Sequence, residues 1–159
     1  MPALALEAEH VTMLQRSPSY YLPLPSHDPV ARLFYRVLPR EPAYAWTREK
    51  NRRTQALFHR LCRARPQAMK RMLVKLTAKQ LPEGYDVERN FTPEYAPWDQ
   101  RVCFLPDGDL FRAIRAGRAS VVTDTIDTFT ERGVRVASGE ELEADIVVSA
   151  TGLDLLALG

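Results

Sequence analysis

His10-Val11-Thr12-Met13-Leu14-Gln15, closed by Arg16-Ser17-Pro18, is the stretch on which the fold class turns. It is a short β-rich run, and the Ala/Leu/Glu residues before it read as the end of a helix. Helix, strand and loop in that order predict an α/β chain. Working outward, prolines at 18, 23, 25 and 29 predict irregular chain over 16–29. Ser26 or Asp28 before Pro29 suits a helix start running to about Leu38.

Two further helices are expected, from Ala43 to about Arg65 and from Pro66 to Lys79, since neither stretch holds a glycine or an internal proline. In the second, Met69, Met72, Leu73 and Leu76 recur at helical spacing while Arg71, Lys75 and Lys79 follow one another four apart. One stripe is apolar and the other cationic. After Leu81-Pro82-Glu83-Gly84 the pattern changes to short strands and turns. Phe91 to Trp98 reads as an extended loop, because its prolines bias the preceding residues away from helix. Val102–Leu105 is a strand candidate, and a helix from Asp109 to about Arg115, with Asp109 as cap, ends at Gly117. Ser120–Val122, Thr125–Thr130 and Val134–Ala137 suggest a small β-meander, with Glu131-Arg132-Gly133 as a turn. Ala144-Asp145-Ile146-Val147-Val148-Ser149-Ala150 is nearly continuous in apolar character, as in a strand covered on both faces, and leads into Thr151-Gly152.

With 159 residues, 45% hydrophobic and 26% charged, the chain suits one globular domain with a real core. No window approaches a membrane span, and Glu7 comes too early for a signal peptide, so a cytoplasmic protein is expected. Cys62 and Cys103 lie far apart without CxxC or clustered histidines, which indicates free thiols and no metal site. The net charge of +2 conceals an asymmetry: residues 32–79 hold 14 Lys/Arg against Glu41 and Glu49 alone. Such a segment faces an anionic partner or simply water. Specific nucleic-acid recognition is not expected, because Phe34, Tyr35, Tyr44, Trp46 and Phe58 form no stacking motif. Peripheral contact with an anionic membrane surface stays open.

Four segments taken together carry a family resemblance: Pro97-Trp98-Asp99-Gln100-Arg101, Pro106 to Phe111, Val121-Val122-Thr123-Asp124, and Ala144 to Leu153. In order and spacing they resemble the class B flavoprotein monooxygenases, nearest to the Baeyer–Villiger branch that holds the mycobacterial ethionamide-activating group. His10 to Tyr20 is similar to the second strand of that family's NADPH domain and the loop after it. The resemblance implies FAD and NADPH as cofactors, in two dinucleotide-binding domains, and proteins roughly three times this long. It makes the chain a truncated internal piece. Residues 1–90 would be part of a Rossmann-like NADPH domain with a basic helical insertion at about 29–80. Residues 91–159 would complete that domain and return to the FAD domain through an Ala-Thr-Gly linker. Seven glycines never form G-x-G, so neither phosphate loop is expected within the chain.

The resemblance also implies site residues. Arg101 matches the arginine that stabilises a C4a-peroxyflavin, a fixed cation placed where oxygen charge develops. Arg16 and Ser17 follow a parallel-type strand, where an arginine accommodates a 2′-phosphate and an acid would bind ribose; this favours NADPH. A surface arginine at a strand end is the plainer reading. Gln100 stands where some relatives have a phosphate-binding lysine. Trp98 and Asp99 serve equally well as loop packing and turn. Thr151 and Gly152 match the linker beside the cofactors, where a missing side chain permits close backbone approach. The expected activity is oxygenation of a ketone, amine or sulfide. Its alternative is a non-catalytic remnant that binds nucleotide or polyanion weakly through the basic helices. Oligomeric state leaves no trace in the residues.

Overall fold

The opening run is strand β1 (Val11–Gln15) in the computed structural model, which describes residues 1–150 and 152. Helix α1 (Leu4–Glu7) precedes it, and β1 lies parallel to β4 (Ala119–Thr123), with Met13 opposite Val121 and Leu14 opposite Val122. His10 fixes the entry. One ring nitrogen donates to the Gly117 carbonyl oxygen at 3.1 Å, and the other pairs with the Ser120 hydroxyl at 2.9 Å. At the far end the Gln15 amide donates to the Asn90 carbonyl at 2.8 Å and to the Thr123 hydroxyl at 2.9 Å. Both ends of a short ladder are thereby held by side chains as well as backbone.

The proline-rich stretch is not wholly irregular. Tyr20–Leu24 forms β2, parallel to β3 (Val102–Pro106), with Tyr20 opposite Val102 and Pro23 opposite Leu105. Pro23 lacks an N–H, but β2 has only one partner, so the missing donor can fall on the unpaired side. Helices carry the chain from β2 back to β3: α2 (Pro29–Val37), α3 (Arg40–Ala64), α4 (Pro66–Ala78) and the short α5 (Val87–Phe91). Parallel neighbours require such crossovers. Helix α6 (Asp109–Arg115) then links β3 to β4. Gly108, rather than the expected Asp109, is its N-cap, because the chain there is left-handed with φ 61°.

Asp28 caps α2, its carboxylate accepting from the Val30 N–H at 2.9 Å and the Ala31 N–H at 3.1 Å, and it also pairs with Lys50 of α3. Asp28→Ala should cost about 0.5–2 kcal/mol of α2 stability. Amide exchange at residues 30 and 31 measures it; unchanged protection there would show that the cap contributes nothing.

Helix α4 buries Met69, Leu73 and Thr77, four apart, against β2, and the Thr77 hydroxyl donates to the Tyr21 carbonyl at 3.3 Å. Met72 and Leu76 are exposed, which corrects the expected stripe: the side facing the sheet is narrower than the apolar sequence pattern. The main core joins α6 (Leu110, Phe111, Ala113, Ile114) to Phe91, Ala119 and Val121. Edge-on aromatic pairs order it, with Tyr21 to Phe91 centroids 5.6 Å apart and Phe91 to Phe111 5.9 Å. Tyr20, Leu73 and Val102 form a second buried cluster, edged by Phe58, Tyr95 and Trp98.

The chain forms two compact units, Met1–Thr123 and Asp124–Gly159. In the second, β5 (Ile126–Phe129), β6 (Gly133–Val136) and β7 (Glu141–Glu143) make the antiparallel meander. Its membership differs from expectation. Ser120–Val122 belongs instead to β4, drawn into the parallel pair by its apolar register with β1, and β7 takes the third place. Gly133 is needed where the ladder closes, since an added Cβ would stand 2.0 Å from the Leu142 carbonyl oxygen. Residues 144–150 do not form the expected strand. No described strand offers them a ladder, so Ile146 and Val148 are left exposed despite their apolar character.

Candidate functional site

The turn between α5 and β3 carries Arg101, the residue singled out for catalysis, and Gln100 before it. Pro97 is buried, Trp98 takes a positive φ of 71°, and the chain reverses through Asp99 and Gln100 into Arg101. Packing explains how a large residue is held in that backbone state. Trp98 lies edge-on to Phe58 at 6.3 Å and His59 at 5.9 Å, with Phe104 at 6.5 Å. Asp99 accepts from Arg63 of α3 at 2.7 Å. The packing role weighed for Trp98 matches what it touches, whereas the Asp99 carboxylate reaches out to Arg63 and the turn is closed by the Asp99 backbone N–H, which donates to the Ala96 carbonyl at 3.0 Å. Burial pushes the Cys62 thiol up, an effect that the Trp98 indole opposes.

Arg101 stands one residue before β3, and Ser19 one residue before β2, so the parallel register sets them side by side. The Arg101 Nε–H donates to the Ser19 hydroxyl oxygen at 2.9 Å. Ser19 is only 4% exposed, whereas Arg101 is exposed. The guanidinium is thus held by its inner nitrogen, while Nη1 and Nη2 keep a planar fork of donors for an anion. Tyr95 backs the turn: its carbonyl accepts from the Tyr20 hydroxyl at 2.5 Å, and its own hydroxyl donates to the Arg101 carbonyl at 3.4 Å. Burial, then Tyr95, pushes the Tyr20 hydroxyl up to about 12. Tyr21 is likewise raised to about 12 by burial, with the Arg101 charge pulling the other way. The Tyr20 phenol thus stays the donor to the Tyr95 carbonyl at neutral pH.

Arg16 and Ser17 lie exposed just past the C-terminal end of β1, in the three-residue connection to Ser19. Arg16 follows the C-terminal end of β1, whereas Arg101 precedes the N-terminal end of β3, and the two strands belong to separate parallel pairs. Gln100 is exposed next to Arg101. Gly152 belongs to the second unit and has φ 107°, a conformation suited to glycine; Thr151 lies outside the described residues. Ser19 and Tyr95 were not anticipated. The available signal was the equal offset of Ser19 before Tyr20 and of Arg101 before Val102, which is legible only once the two strands are known to pair. Among the described residues no group of three or more His, Cys, Asp or Glu could hold a metal ion, and no helix is long and apolar enough to cross a membrane.

Parallel strand pairs linked through helices define a mixed α/β protein, and comparison with known proteins sharpens that class: along its whole length the chain is homologous to FAD-containing monooxygenases. It is 52% identical over 160 residues to the FAD-containing monooxygenase EthA of Mycobacterium tuberculosis (strain ATCC 25618 / H37Rv), covering 100% of this chain and 33% of that protein. With EthA of Mycolicibacterium smegmatis it shares 49% identity over 152 residues, which is 96% of this chain and 31% of the relative. With the "Probable FAD-binding monooxygenase AlmA" of Acinetobacter baylyi it shares 49%, again over 96% of this chain and 30% of the relative. The chain therefore spans about a third of the length of the relatives it matches. No family model matches it, and no solved structure gives a significant match.

Proposed function

We propose that this chain supplies the NADPH-side and flavin-facing arginines of an FAD- and NADPH-dependent monooxygenase that places one oxygen atom beside a ketone carbonyl, or on an amine nitrogen or sulfide sulfur. The observation that supports this most is the Nε anchor of exposed Arg101 on buried Ser19, which holds the cation by one nitrogen and leaves its other donors for a ligand. The parallel pairs β1–β4 and β2–β3 support a Rossmann-like NADPH-binding half, in which ligands gather at the carboxyl ends of strands; Arg16 and Ser17 follow that end of β1, whereas Arg101 precedes β3. In this reading residues 1–90 carry the NADPH side with its basic helical insertion, and residues 91–159 complete the domain and lead toward the FAD domain.

Each residue then has a stated task. Arg16 binds the 2′-phosphate through its fork, with the Ser17 hydroxyl completing the contact, and Gln100 offers a neutral donor next to Arg101. Arg101 holds its positive charge where negative charge develops on oxygen, and Thr151 with Gly152 lets backbone approach the cofactors closely. FAD, when bound, supplies the oxygen-activating chemistry that side chains lack. A second reading, a non-catalytic remnant binding nucleotide or polyanion weakly, is favoured by the exposed cations of α2 to α4.

A chimera separates the two. The matching third of M. tuberculosis EthA is replaced by residues 1–159, and bound flavin and oxygen-dependent NADPH oxidation are followed. The monooxygenase reading expects flavin retention, NADPH oxidation and a preference for NADPH over NADH that Arg16→Ala reduces by about tenfold or more. A chimera that folds and binds flavin but oxidises no NADPH would leave the remnant reading in possession.

A further inference from the structure

We infer that the pair of helices α2 and α3 is a docking surface for an anionic lipid bilayer. Val30, Leu33 and Val37 fall at i, i+3 and i+7 on one face of α2, and all three are exposed, Leu33 at 56% and Val37 at 63%. The α2–α3 contact uses a different side of the helix, where half-buried Phe34 meets Trp46 edge-on at 5.9 Å. Packing of the hairpin therefore leaves the aliphatic stripe uncovered. The hairpin also carries exposed aromatics with a polar edge, Tyr35 on another side of α2, and Tyr44 and Trp46 on α3, the last at 61%. Such side chains suit the boundary between headgroups and acyl chains.

Charge says what covers the stripe. Arg32 and Arg36 share the face next to Leu33, with Arg40 and Arg48 further along the hairpin, and all four are exposed. Of the nearby acids, Glu49 holds Arg52 and Arg53, each at 2.7 Å, and Asp28 holds Lys50, while Glu41 is exposed beside Arg40. Of the 14 cations across residues 32–79, Lys50, Arg52, Arg53 and Arg63 are ion-paired, while Arg32, Arg36, Arg40 and Arg48 form no ion pair among the described residues. A nucleic-acid backbone has no use for an exposed row of Val30, Leu33 and Val37. An anionic bilayer takes both, the cations at its phosphates and the apolar stripe beneath them.

The test is co-sedimentation of the purified chain with phosphatidylcholine vesicles, with or without phosphatidylglycerol, and in parallel retention on a DNA duplex. Anionic vesicles should retain the chain about tenfold more strongly than neutral ones, and retention should fall as salt rises. Leu33→Glu/Val37→Glu and, separately, Arg32→Glu/Arg36→Glu should each weaken retention about tenfold or more. All four sites are exposed, so circular dichroism should show the fold retained. Equal retention on neutral vesicles would reduce the observation to apolar stickiness. Retention on DNA that survives Leu33→Glu/Val37→Glu, with none on vesicles, would make the surface a polyanion site and overturn the inference. These readouts involve no flavin, so they stand or fall apart from the monooxygenase reading.

Discussion

Phe111→Ala is expected to destabilise the chain by about 3–5 kcal/mol, the usual cost of emptying a fully buried phenylalanine site. Phe111 has 0% exposure and sits where α6 meets the crossover. It contacts Phe91 at 5.9 Å and Tyr21 at 6.4 Å, ring centroid to centroid. Removing the ring therefore breaks two aromatic pairs as well as opening a cavity. Collapse to fill the space is hindered, because Leu110 and Ile114 already pack on the same helix and Ala119 and Val121 stand opposite on β4. For a domain near this size the loss corresponds to roughly 2–4 °C of melting temperature per kcal/mol. Thermal unfolding followed by circular dichroism measures it. Phe129→Ala serves as the comparison, since Phe129 is exposed and should change stability by no more than about 0.5 kcal/mol. A Phe111→Ala loss below about 1 kcal/mol would mean that this cluster does not hold the first unit together.

What could be read from residues alone divides along physical lines. Local signals were legible. Ser26 or Asp28 before Pro29 marked the start of α2, glycine-free stretches marked α3 and α4, and Gly117 closed α6, because caps, propensities and breakers act within a few residues; α3 nevertheless begins at Arg40 rather than Ala43, since Pro42 is tolerated in a first helical turn. Pairing was not legible. Tyr20–Leu24 looked irregular on account of Pro23, yet its register with β3 outweighs one missing donor. Ser120–Val122 looked like the first strand of a meander, because nothing local distinguishes an antiparallel hairpin strand from a parallel one that pairs more than a hundred residues away. The same limit applies to the site. Arg101 was singled out through family resemblance, whereas Ser19, which holds it, depends on a strand pairing that no motif announces. Residues 144–150 show the reverse case: an apolar run states that it wants cover, but a strand forms only where a ladder is offered.

Arg101→Ala, placed in the chimera with M. tuberculosis EthA, should lower the rate of substrate oxygenation by about 100-fold or more, the range seen when one fixed donor to a developing oxygen charge is removed. The expectation rests on how the side chain is held. Its Nε is committed to Ser19 and its backbone carbonyl accepts from the Tyr95 hydroxyl, so the fork is positioned before any ligand arrives. A cation that need not reorganise stabilises developing charge more than one that must be ordered first. Arg101→Lys separates charge from geometry. Lysine keeps the charge, but its ammonium cannot both reach Ser19 and present a planar fork, so it should restore only a minor part of the rate. Flavin content and NADPH oxidation should change little in either variant, because the proposed task of Arg101 is at the oxygen-transfer step. Ser19→Ala provides the intermediate case: the guanidinium stays, its anchor goes, and the loss should be smaller than for Arg101→Ala. The readout is product formed per NADPH consumed. A productive arginine couples the two, and its loss should let NADPH oxidation continue while product falls. Retention of full product yield in Arg101→Ala would remove Arg101 from the oxygenation step and leave it as a structural tie between β2 and β3.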